Sequence, residues 1–257
     1  MRRLLLAAAI GIALLVAAPA ARADPDTLWR FVSGLCVPNE QQHGNPAPCA
    51  LVDLHAGLDA GYVILKDIRG ATQYLLIPTA RITGIEDPLL LRSGTPNYFA
   101  AAWRERSYTE KAAGHGLPRD VLSLAVNSPF GRSQNQLHIH IDCIRPDVRA
   151  TLHRQLAAIG NRWTPLAVPL ARHRYWAMRV AGAELDGADP FRLLAEMKPG
   201  TAAAMPQHTL VAVGAELPGG RPGFILLDSQ LDLVRGNHAS GEELQDHACT
   251  LARQLPR

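Results

Sequence analysis

The sequence predicts an α+β fold built on an antiparallel sheet, and three observations predict it. Short apolar runs alternate with stretches of helical spacing in the order strand, strand, helix, strand, strand, helix. The strands of each pair are joined by short polar or Gly-containing segments of hairpin character. Composition is ordinary for a globular protein: 257 residues, 47% hydrophobic and 19% charged, enough chain for one large domain or two small ones.

Residues 1–23 stand apart. Arg2 and Arg3 precede an apolar run from Leu4 to Ala18, then Pro19 and the small-residue pattern Ala21-Arg22-Ala23. This order reads as an export signal cut after Ala23, because the run falls short of the ~20 residues that span a bilayer. Left uncut, the segment would be an anchor. Without Arg2, Arg3 and Arg22 the formal charge of +3 falls to zero, which argues against a general nucleic-acid binder.

The first strand pair is residues 61–66 (G-Y-V-I-L-K) and 73–78 (Q-Y-L-L-I-P), around the turn D-I-R-G at 67–70. Thr95 and Pro96 then supply a cap and a first-turn proline for a helix carrying Phe99, Ala102, Trp103 and Arg106, which Gly114 ends. The second pair is residues 121–127 (V-L-S-L-A-V-N) and 137–143 (L-H-I-H-I-D-C), joined by S-P-F-G-R-S at 128–133. A helix over 146–159 follows, with Val148, Leu152, Leu156 and Ile159 on one face and Gly160 as its stop. Beyond Trp163 the pattern predicts a helix from Pro190 to Met197 and paired strands at 210–214 and 223–228. The expected organisation is a signal at 1–23, a catalytic region at 24–160, and a C-terminal α/β extension at 161–257 on the same sheet.

Four cysteines in an exported chain are expected to pair. Cys36 and Cys49 enclose a Pro-, Asn- and Gln-rich stretch, and Cys143 and Cys249 remain. Cys249 is expected in a C-terminal helix opened by the capping-box pattern S-G-E-E at 240–243 and carrying Leu244, Ala248 and Leu251 on one stripe. The second bridge would tie the C-terminus to the back of the histidine strand.

That strand carries the chemistry. In residues 134–143 (Q-N-Q-L-H-I-H-I-D-C), alternation sends Gln136, His138, His140 and Asp142 to one face and Leu137, Ile139, Ile141 and Cys143 to the other. Two imidazoles on one face suit either nucleophilic catalysis or a zinc site completed by His153, His247 or Asp142.

Together with the flanking C-V-P-N-E-Q-Q-H-G-N-P-A-P-C, G-Y-V-I-L-K-D, N-S-P-F-G-R-S and the late Q-D-H-A-C, this segment resembles the histidine-triad superfamily of nucleotidyl hydrolases and transferases. Within it, the sequence is similar to the CDP-diacylglycerol pyrophosphatase family. The resemblance implies a histidine-triad-like antiparallel sheet and cleavage of CDP-diacylglycerol to CMP and phosphatidate through a nucleotidyl-histidine, with no cofactor and no metal. His138 matches the nucleophilic middle histidine. His140 matches the third, which steadies phosphoryl oxygens. The first histidine is replaced by Gln136, whose amide can hydrogen-bond but cannot titrate.

Asn127 and Ser133 match polar positions near the phosphate. Arg132, Arg145 and Arg149 carry guanidinium forks suited to a pyrophosphate, although with 23 Arg against three Lys arginine is simply the usual cation here. The expected partner is a phospholipid substrate at the membrane surface, not nucleic acid. The expected location is the periplasm or the outer face of the inner membrane. The rival readings are a zinc-dependent phosphoesterase and a non-catalytic lipid- or nucleotide-binding protein.

Overall fold

The computed structural model describes residues 24–197 and 199–254. The expected signal at 1–23 lies outside the described residues. Strands β1 (Leu51–Asp53), β2 (Tyr62–Lys66), β3 (Tyr74–Pro78), β4 (Leu122–Val126), β5 (Ile139–Cys143), β6 (Thr164–Pro165), β7 (Trp176–Ala181), β8 (His208–Leu217) and β9 (Arg221–Gln230) form one open sheet. Their order is β1-β2-β3-β5-β4-β8-β9-β7-β6, and every pairing is antiparallel. The strand that carries the histidines is therefore central, with three strands on one side and five on the other.

Alternation along β3 and β5 divides the sheet into two faces. Leu76 pairs with Ile139 and Tyr74 with Ile141, so these side chains share a face. On it lies the main core, where α3 (Tyr98–Arg104) buries Phe99 and Trp103. Phe99 meets Phe191 of α6 (Pro190–Ala195) edge-on at 5.0 Å, and Trp103 meets Phe224 of β9 at 4.7 Å.

The opposite face holds His140, paired with Leu75. There the N-terminal helices α1 (Thr27–Phe31) and α2 (Val37–His43), joined through a π-turn at Val32–Cys36, pack Val32, Cys36 and Val37 against Val63, Leu75 and Ile77. The C-terminal segment covers the rest of the site. Its backbone runs beside the end of β5, with Arg145 N donating to Leu244 O at 2.9 Å and Asp246 N to Cys143 O at 2.8 Å. Gly241 is obligatory in this seat, because a Cβ there would lie 2.5 Å from Val211 Cγ2 and 2.7 Å from Thr209 Oγ1.

The C-terminal helix expected from the capping-box pattern does not form. Two short 3-10 turns, Gly241–Leu244 and Thr250–Gln254, take its place, separated by an extended Gln245 (ψ 149°) that bridges to Ile144. Long-range pairing overrides local propensity here. Cys249 takes φ +44°, a left-handed conformation that no helix continues through. The helix expected to start at Thr95 is capped instead by Asn97, whose side chain accepts from Ala100 N, and it breaks at Glu105 before α4 (Ser107–Ala113). The helix over 146–159 ends earlier, as α5 (Pro146–Gln155).

Cys36 is bonded to Cys49 and Cys143 to Cys249, with Cα–Cα distances of 5.6 and 5.2 Å. The first bridge joins positions 13 apart in sequence and closes the loop that contains α2. Replacing both Cys36 and Cys49 by alanine is expected to cost about 3 kcal/mol in urea unfolding. An unchanged midpoint would mean that the helical cluster holds itself without the bond.

Candidate active site

His138 stands just before β5 and His140 within it, their rings edge to face with centroids 4.9 Å apart. Both are buried, at 8% and 4% exposure. His138 Nδ1 lies 2.7 Å from the main-chain oxygen of Gln136. A carbonyl only accepts, so Nδ1 carries the hydrogen and Nε2 keeps its lone pair. Burial holds the His138 pKa below the ordinary imidazole value, with Arg132 acting in the same direction, against the Gln136 carbonyl and Glu242.

The His140 tautomer follows from its neighbours. Gln73 Nε2 lies 2.7 Å from His140 Nδ1 and 3.2 Å from Glu242 Oε1. The carboxylate demands a donor, so the amide presents NH2 to both groups and His140 Nδ1 accepts. His140 therefore carries its hydrogen on Nε2, which is buried and has no hydrogen-bond partner among the described residues. Glu242 Oε2 is 3.6 Å from it. Burial pushes the His140 pKa down to about 4, although Glu242 pulls the other way.

Glu242 is gripped on all sides. Burial alone would raise its pKa, but hydrogen bonds from His247, the neighbouring His140 ring and the amides of Gln73 and Asn127 hold it well below the usual carboxylate range. Asn127 Nδ2 donates to Glu242 Oε2 at 3.1 Å, while Asn127 Oδ1 accepts from Ser240 Oγ and Glu242 N, each at 3.1 Å. The asparagine just after β4 thus seats the whole 240–242 turn.

His247 lies between two carboxylates, with Nδ1 2.8 Å from Asp142 Oδ2 and Nε2 3.3 Å from Glu242 Oε1. First Asp142 and then Glu242 raise its pKa to about 10, so it is an imidazolium at neutral pH. Asp142 is fully buried, and its Oδ1 accepts from Thr72 Oγ1 at 2.7 Å and from Cys143 N at 2.8 Å. Gly70, at φ +68° in the β2–β3 turn, admits His247 at close range, since a Cβ there would sit 2.5 Å from the His247 Cβ.

The other residues singled out from the sequence take varied places. Gln136 is buried and gives its two amide hydrogens to Pro78 O (3.1 Å) and Ala80 O (2.9 Å), leaving only its oxygen open. Arg132 forks onto Glu86, at 2.7 Å to Oε2 and 2.5 Å to Oε1, and its charge is felt at His138. Ser133 is exposed in the β4–β5 loop. Arg145 pairs with Asp147, and Arg149 pairs with Asp120.

The third-ligand candidates for a zinc centre are committed elsewhere, His153 to Asp120 at 2.7 Å and His247 and Asp142 to each other. Among the described residues, no group of three or more His, Cys, Asp or Glu is arranged to hold a metal ion. A separate cleft of about 310 Å³, lined by Asp120, Arg149, His153 and Glu216 among others, touches none of the histidine-site residues.

Sequence reasoning assigned no role to Gln73 or Glu242, and named His247 only as an alternative metal ligand. The available signals were the Q-D-H-A-C and Q-Y-L-L-I-P stretches, which carry His247 and Gln73.

A search of family models matches the chain over residues 23–253 to that of CDP-diacylglycerol pyrophosphatase. The match takes in both histidines, at 138 and 140, and the Glu242 and His247 segment that closes over them. The chain belongs to the CDP-diacylglycerol pyrophosphatase family, and it is a hydrolase.

Proposed function

We propose that this hydrolase cleaves the pyrophosphate bond of CDP-diacylglycerol in two steps, through a nucleotide carried covalently on His138. The observation behind the reading is the 2.7 Å contact between His138 Nδ1 and the Gln136 carbonyl. It fixes the tautomer with a free lone pair on Nε2, and burial keeps the ring neutral and nucleophilic.

In the first step His138 Nε2 bonds to the α-phosphorus and the bridging P–O bond breaks, releasing phosphatidate. The leaving group is a phosphate monoester, a weak base, so no strong acid is required. The positive charge that forms on the His138 ring is met by the Gln136 carbonyl at Nδ1. His140 Nε2–H, buried without a hydrogen-bond partner among the described residues, is assigned to a phosphoryl oxygen as charge shifts there. In the second step water displaces His138 and CMP leaves.

This reading takes the strand as histidine-triad-like, with an amide at its first position. Asn127 supports it by holding Glu242, and Arg132 lends positive potential near His138. Ser133, on the exposed loop before the strand, is assigned to the incoming substrate. A periplasmic setting, with the substrate presented by a membrane surface, fits two disulfides. No helix among the described residues is long and apolar enough to cross a membrane.

With CDP-diacylglycerol in detergent micelles and EDTA present, CMP release is expected to continue in the wild type and to fall to background in His138→Ala. A denaturing quench of the wild type is expected to leave CMP on His138. Activity that returns only with zinc would sink the covalent reading and turn the two imidazoles into ligands.

The acid limb of kcat/KM is expected below the ordinary imidazole value of about 6.5, because burial keeps the His138 nucleophile neutral to lower pH. A limb at or above that value would contradict a buried neutral nucleophile.

A further inference from the structure

Hydrolysis of a nucleotidyl-histidine needs a group to take the proton of the attacking water, and the family resemblance supplies none. Resting on the two-step reading above, we propose that Glu242 takes this proton in the second half-reaction, and that Asp142 and His247 hold it in place to do so.

The hydrogen-bond geometry separates Glu242 from its neighbours. In the intermediate, His138 Nε2 is bonded to phosphorus and its Nδ1–H stays on the Gln136 carbonyl. His140 offers no lone pair, because Gln73 occupies Nδ1 and Nε2 carries hydrogen. His247 has both ring nitrogens on carboxylates. Asp142 is fully buried, with each oxygen already accepting. The open oxygens of Gln73 and Gln136 belong to neutral amides, which are not bases.

Asp67, whose charge is also felt at His140, turns back on its own loop, where Oδ1 accepts from Arg69 N at 2.8 Å. Among the described residues Glu242 Oε2 has one hydrogen-bond donor, Asn127, and it stands 3.6 Å from His140 Nε2. That gap lies between two groups that each have hydrogen-bonding capacity to spare. At 3.6 Å the two atoms leave no room for an oxygen on the line between them, so the attacking water sits beside both, where it can receive a hydrogen bond from His140 while its own hydrogen faces Glu242.

In this step the water oxygen bonds to the α-phosphorus, and the P–Nε2 bond breaks with its electron pair returning to His138. One water proton passes to Glu242 Oε2 and then to solvent, and CMP departs. A weak base suffices, because the departing imidazole leaves as a neutral ring from a cationic adduct. The His247 imidazolium ensures that the carboxylate is ionised when the water arrives, so the acceptor never has to be regenerated by a slow deprotonation.

Full-length wild type, E242Q and D67N, mixed rapidly with CDP-diacylglycerol in detergent micelles and quenched in denaturant, test the assignment. In E242Q, phosphatidate is expected to appear in a burst of about one per chain. CMP remains on His138, and steady CMP release slows by about 100-fold or more. D67N is expected to turn over like the wild type.

Wild-type turnover in E242Q, or the same trapped adduct in D67N, would overturn the assignment while leaving the covalent route intact. No adduct in any of the proteins, wild type included, would overturn both. Should E242Q fail to fold by circular dichroism, decay of the wild-type adduct in D2O decides: slower decay supports proton transfer in that step, and unchanged decay overturns it.

Discussion

The site depends on one buried charge, the carboxylate of Asp142. It lies on the central strand with no exposure to solvent, where an unpaired carboxylate would cost several kcal/mol. What offsets that cost comes largely from elsewhere in the chain: Thr72 from the β2–β3 hairpin and His247 from the C-terminal tail. Because Glu242 and His247 sit on the same tail, it cannot lift without stranding Asp142, and the disulfide from Cys143 to Cys249 makes the same connection covalently. The architecture of the strand face follows: the hairpin turn opens at Gly70 to admit His247, and Gly241 lets the returning backbone lie flat on β8.

Three imidazoles share this small volume in two protonation states, and environment alone sorts them. His138 and His140 face a carbonyl and an amide and are deeply buried, so both are neutral. Only His247 is placed between two acids, and it is about one-third exposed and charged. The division is useful chemically, because a nucleophile must be neutral while the group that steadies a carboxylate must not be. Exchanging the surroundings of His138 and His247 would disable both.

The parts of this arrangement that were legible in the sequence are those written in short periods. The two-residue alternation of 137–143 separates Ile139 and Ile141 from His140 and Asp142 without reference to the rest of the chain, and the register with β3 carries that division across the sheet. The tail departs from its expected helix for the opposite reason. S-G-E-E at 240–243 is a good local helix start, but Asn127 and Gln245 contacts claim the segment for an extended path across β4 and β5. Glu242 lies 115 residues from Asn127 and 169 from Gln73 in sequence, so nothing local marks it as more than an acid in the first turn of the expected helix. The edge strands β1 and β6, and β7 beside β6, were likewise invisible. β1 and β6 are three and two residues long, and β7 is recognisable only through its pairing with β9.

The glutamine at position 136, where the resemblance leads one to expect a histidine, is explained by what that position has to hold. Its side chain bridges Pro78 O and Ala80 O, two carbonyls at the end of β3 that both require donors. A neutral imidazole could serve only one of them, and an imidazolium serving both would be a further buried charge without a counterion. The amide serves both and stays neutral. The backbone oxygen of the same residue selects the His138 tautomer, so whatever fixes residue 136 also fixes the direction in which the lone pair of the proposed nucleophile points. In the proposed mechanism Gln136 therefore acts through its main chain while its side chain secures the strand, and titration at position 136 is not needed for either task.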